Sequence, residues 1–101
     1  MPERTDEGTA SFRVHGSFVL RSRALFVLRG IVTAGSVSAG QRVVEPKAID
    51  APVTGVEAGL SDMSGGERQT ALTFRYASPA QLTRWQAATP EGTVLTLARA
   101  P

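Results

Sequence analysis

Arg29-Gly30-Ile31-Val32-Thr33-Ala34-Gly35-Ser36-Val37-Ser38-Ala39-Gly40 carries an apolar strand into two glycine-punctuated turns. Gly35 and Gly40 stand where a chain must reverse or step, and glycine enters positive φ there without the Cβ penalty other residues bear. Gly30 lies inside the strand instead, where a glycine marks a bulge or the close pass of another backbone. Strand, glycine turn, short extended step and second glycine together predict a strongly bent antiparallel sheet, the geometry by which small barrels close.

Upstream of this stretch, Phe12, Val14, Gly16 and Phe18 alternate with Ser11, Arg13, His15 and Ser17. That is the period of two of a strand with one buried face, which predicts strand one over Phe12 to Val19 with His15 toward solvent. Arg21-Ser22-Arg23 reads as a polar turn, and Leu25 to Val32 as a strand covered over much of both faces. Downstream, Gln41 to Glu45 is a third strand, ended by Pro46 because proline cannot donate to a ladder. Pro52 to Glu57 is a fourth, Ser61 to Glu67 a loop of turn formers, and Thr70 to Tyr76 a fifth with Leu72, Phe74 and Tyr76 on one face. Ser78-Pro79 supplies an N-cap and a first-turn proline, so Ala80 to Trp85 predicts a helix of one or two turns. Ala87 to Gly92 is then a loop and Thr93 to Ala98 the sixth strand. The expected fold is all-β, a single small six-stranded antiparallel β-barrel with one short helix over residues 11–101. Residues 1–10 lack a hydrophobic period and are expected to form a disordered acidic tail.

A length of 101 residues suits one domain that buries its core without metal or disulfide. The absence of cysteine excludes disulfides, thiolate nucleophiles and Cys-based zinc sites, and makes a cytoplasmic location the default expectation. Met1-Pro2-Glu3-Arg4-Thr5-Asp6-Glu7 has the wrong sign for a signal or transit peptide. The longest apolar run, Ala24 to Leu28, falls far short of the roughly twenty residues of a membrane span, so no membrane partner is expected. Net charge is +2, and because acids gather at the N-terminus the remainder is more basic than that figure. All but Lys47 of the 11 basic residues are arginine, the side chain suited to forked contacts with phosphate or carboxylate.

From Phe12 to Leu97 the chain resembles the second domain of translational GTPases such as elongation factor Tu. The resemblance lies in the 29–40 stretch, in Thr54-Gly55-Val56-Glu57, in Gly66-Glu67 before strand five, and in Leu82-Thr83-Arg84 after it. It implies a six-stranded β-barrel whose work is done at interfaces, on a GTP-binding domain or on the aminoacylated end of tRNA. Two departures bear on partner contacts. Arg21-Ser22-Arg23-Ala24 stands where the family has a glycine-bearing turn, and Arg84 is followed by Trp85, with Gly92 arriving only after residues 85–91.

Catalytic patterns are not supported. Gly30 to Gly35 and Gly35 to Gly40 have the glycine spacing of a phosphate loop, but Ser36-Val37 and Gln41-Arg42 follow them, so the lysine is missing and no helix opens there. His15 is the only histidine, which leaves no multi-histidine metal site and only a remote Ser-His-Asp arrangement with Asp50 or Asp62. Glu57, Asp62 and Glu67 read as solvated turn acids. No enzyme activity and no cofactor are expected.

Binding is the remaining expectation. Arg13, His15, Arg21, Arg23 and Arg29 fall within strands one and two and their turn, with no acid between Ala10 and Glu45. Such a hairpin would track phosphates, or its arginines would alternate outward only to keep the sheet soluble; an exposed Trp85 would stack on unpaired bases, and a buried Trp85 would plug one barrel end. The expected partner is RNA, a ribonucleoprotein or a separate protein such as a GTPase, engaged by a stand-alone module. The alternative is a protein-interaction or self-associating module with no nucleic-acid role, a homo-oligomer included.

Overall fold

A computed structural model of the chain describes residues 9–60 and 69–99. Six strands and one helix follow in the order β1 (Thr9–Leu20), β2 (Leu25–Gly35), β3 (Gln41–Glu45), β4 (Val53–Leu60), β5 (Gln69–Arg75), α1 (Pro79–Ala88) and β6 (Val94–Arg99). A 3-10 turn, Arg21–Arg23, joins β1 to β2. All pairings are antiparallel, in the order β3-β6-β1-β2-β5-β4.

The sheet is an open, curled half-barrel where the sequence predicts a closed one. Its edges meet at a single bridge, Arg42 to Pro52, beside which Gly40 N–H donates to the Val53 carbonyl at 2.8 Å. Beyond that point Pro46 offers no N–H to extend β3, as expected of a proline ending a strand. The curl has identifiable sources. Register shifts leave Thr33, His15, Val44 and Thr54 with no residue opposite them in the ladder, and each such bulge bends its strand and tightens the local twist.

Gly30 is a close-approach glycine within its strand. A Cβ there would run into the Arg13 carbonyl oxygen, and would lie 3.0 Å from Phe12 Cε2. Gly35 and Gly40 take the positive φ expected of turn glycines, at 71° and 96°. At the other turn Ala24 adopts φ 55°, so the hairpin tip has left-handed geometry without the glycine that would favour it.

The inner face buries Phe12, Val14, Phe26, Leu28, Leu72, Phe74, Leu95 and Leu97, and α1 closes over them with Leu82 and Trp85. The helix begins as the sequence predicts, the Ser78 hydroxyl accepting from Gln81 N–H with Pro79 in the first turn. It runs to Ala88, three residues past the predicted end, because Gln86, Ala87 and Ala88 are good helix formers. Thr89 then turns its hydroxyl onto the Trp85 carbonyl, and Pro90 follows. Three other boundaries move outward. β1 starts at Thr9, so Thr9 and a buried Ala10 belong to the sheet and not to a tail; β2 continues to Gly35 opposite them; β4 reaches Leu60. Residues 1–8, and the predicted 61–67 loop with Asp62, Gly66 and Glu67, lie outside the described residues.

Asp50 latches the loop after β3 to α1. Its Oδ1 accepts from Trp85 Nε1 at 3.0 Å and from Gln81 Nε2 at 3.1 Å, and Oδ2 pairs with Arg84 at 3.3 Å. The Gln81 and Trp85 hydrogen bonds hold its carboxyl below the ordinary value of 3.8, with a smaller contribution from the Arg84 charge. A depressed native value means that the ionised carboxylate stabilises the fold above that pH, and that the contribution is lost as pH falls through the native value. Asp50→Asn should therefore melt below the parent at about pH 7, and the gap should narrow toward about pH 2; a constant gap in thermal melts would show that the charge contributes nothing.

Candidate binding face on the outer side of the hairpin

The bulge at His15 sets the geometry of the site. Val14 pairs with Gly30 and Gly16 with Arg29, so His15 is extra on β1 and the alternation inverts beyond it. Phe18, placed by the sequence pattern on the same face as Phe12 and Val14, turns outward and is 46% exposed. Leu20 follows at 40%, while Val19 packs against the core. His15 itself is half-buried in the bulge and not simply turned to solvent.

Cross-strand partners share a face, so the outer surface can be read in rows. Leu20, Leu25 and Arg75 form one row; Phe18, Val27, Thr73 and Gly55 the next; Gly16, Arg29, Ala71 and Glu57 the third. Farther along, Arg13 stands beside Ile31 and Val94. A cleft of about 450 Å³ lies across the first three rows, with Val27 and Ala71 at its floor, Phe18 and Leu20 along the β1 side and Gly55 and Glu57 along the β4 side.

Arg29 and Glu57 line the same cleft. The Arg29 guanidinium lies over Gly16, where a Cβ would come within 2.7 Å of Nη2, and Nη1 donates to Gln69 Oε1 at 3.1 Å. Among the described residues the only ion pair is Arg84 with Asp50, so Arg13, Arg21, Arg23 and Arg29 are not ion-paired there. Arg21 and Arg23 are exposed on the turn beyond Leu20.

Of the residues singled out from the sequence, Arg29 therefore stands in the cleft, Arg21 and Arg23 at its hairpin tip, and Arg13 on the same outer face. Trp85 does not join them. It is fully buried on the inner side, with ring centroids 5.9 Å from Phe26 and 6.1 Å from Phe74, so it presents no face for a base and is the plug of the core. Phe18, Leu20, Val27 and Ala71 are the contributors that pattern reading misses. Gly16, a glycine inside a strand and therefore a bulge signal, is the clue the sequence offers.

Among the described residues no three His, Cys, Asp or Glu side chains cluster as metal ligands, and no helix is long and apolar enough to cross a membrane. Comparison with protein-family models, curated proteins and solved structures gives no match to this chain.

Proposed function

We propose that this chain is a non-catalytic, translation-factor-like β module of the cytoplasm that docks on an anionic macromolecule through the outer face of its β1–β2 hairpin. One observation carries the reading: the His15 bulge puts Phe18 and Leu20 on the face that holds Arg29, beside a formed cleft. Small domains rarely expose apolar surface in contiguous patches, and an apolar patch with a charged rim marks an interface. RNA, a ribonucleoprotein or a partner protein such as a GTPase would each offer the required negative charge. Self-association is the other reading, favoured by the same exposed Phe18 and Leu20.

Binding of single-stranded RNA, tRNA and polyglutamate, followed by anisotropy across a salt series, tests the proposal with the parent and with Arg21→Ala/Arg23→Ala. At least one should bind at low salt, weaken as salt rises, and bind the double variant less well. For RNA the log-log salt slope should fall by about 0.7–0.9 for each phosphate that the variant no longer neutralises. Stability should change by less than about 0.5 kcal/mol, both arginines being exposed. If none binds the parent, or the variant binds as well, the hairpin is not an anion-docking face; concentration-dependent sedimentation would then decide for self-association.

A further inference from the structure

We infer that the cleft beside Arg29 receives an acidic protein segment, an apolar side chain entering between Phe18, Leu20, Val27 and Ala71 while a neighbouring carboxylate accepts from the Arg29 guanidinium. This deepens the docking reading and rests on it. The volume of about 450 Å³ lies within the roughly 300–1,000 Å³ of sites that enclose organic groups, and admits a large side chain with part of its backbone. Its floor, Val27 and Ala71, is apolar and covered, and Phe18 and Leu20 stand exposed along one side, so an incoming apolar side chain finds contacts below and on the β1 side.

Charge then selects among apolar segments. Arg29 is held in place by Gln69 and by the space over Gly16, and only one of its donors is used within the described residues. A planar fork positioned in that way is suited to a carboxylate. Glu57 lies across Ala71 from Arg29, and would repel a second acid at that end. The segment is therefore polar in direction: acidic where it passes Arg29, apolar over the floor, neutral or basic at Glu57.

RNA fits this cleft less well. Base recognition on single strands relies on exposed rings as stacking platforms, whereas Phe12, Phe26, Phe74 and Trp85 are buried and Tyr76 is half-buried, leaving Phe18 as the exposed ring among the described residues. Aliphatic surface such as Leu20 and Val27 serves a protein side chain.

Amide chemical-shift titration of the full chain tests the inference with three peptides: acetyl-Asp-Glu-Leu-Phe-Gly-Ser-amide, its neutral isostere acetyl-Asn-Gln-Leu-Phe-Gly-Ser-amide, and acetyl-Asp-Glu-Ser-Ser-Gly-Ser-amide without the apolar pair. The first should move the amides of Phe18, Val27, Arg29 and Ala71, and the other two should bind about tenfold more weakly or worse. Arg29→Gln and, independently, Phe18→Ala should each weaken the first peptide at least about fivefold, with dispersed spectra showing that both variants fold. Equal binding of the isostere, an unchanged affinity in Arg29→Gln, or shifts confined to another surface would overturn the inference and leave the docking face standing. An eight-nucleotide single-stranded RNA that displaces the peptide from the same amides would assign the cleft to RNA, again overturning this inference alone. No response of the hairpin to any probe would remove both.

Discussion

Trp85→Ala is expected to cost about 3–5 kcal/mol of folding free energy, the range for emptying a fully buried large aromatic. The indole is fully buried, touches Phe26 and Phe74, and anchors the helix that closes the core. Its removal also takes the Nε1 donor from Asp50, loosening the latch between the loop and α1. A domain of this size holds only about 5–15 kcal/mol in total. Urea denaturation should therefore show the midpoint collapsing toward zero denaturant. Trp85→Phe keeps a ring in the core but loses the donor together with part of the buried indole volume; an intermediate cost of about 1–3 kcal/mol is expected. If Trp85→Ala melts within a few degrees of the parent, the indole is not the plug of this core.

The second large effect is at Gly30. Gly30→Ala should destabilise by about 2–3 kcal/mol, the upper part of the range for overpacking, and Gly30→Val by more. The obstacle is backbone: the new Cβ meets the Arg13 carbonyl, which cannot rotate away as a side chain would. Gly40→Ala is the informative contrast, since its Cβ would enter open space and only the positive φ is penalised. That penalty is about 1–2 kcal/mol. A cost at Gly30 no larger than that at Gly40 would show that the Arg13 carbonyl gives way and that Gly30 is not a close-approach position.

These two positions also mark what is legible in the sequence. Gly30, Gly35 and Gly40 announce their roles because a glycine in an apolar strand and a glycine after one have few other uses. Ser78-Pro79 announces α1, and the phase of Leu72 and Phe74 holds because β5 keeps its alternation between its two neighbours. The site is less legible for one physical reason. Period-two reading assumes an unbroken pleat, and one unpaired residue reverses every side chain beyond it. His15 is that residue. Its arginine neighbours are visible as charge, but the alternation points Phe18 inward with Phe12 and Val14, and so hides the apolar half of the face. Trp85 carries two readings because composition favours a core plug for a lone tryptophan on a short helix without excluding a surface ring; burial against Phe26 and Phe74 decides it. Closure of the barrel is not decided by local pattern either, because it depends on how far β3 and β4 pair across the seam, and they are the elements most distant from one another in the sheet order.

The docking face exists only if the strand inverts at His15, and that can be measured directly. A soluble gadolinium chelate broadens side-chain signals in proportion to their access to solvent. Strong broadening is expected at Phe18 and Leu20, with Val19, Phe12 and Val14 protected. Protection of Phe18 together with broadening of Val19 would mean an unbroken alternation from Phe12, and would contradict the docking face at its root.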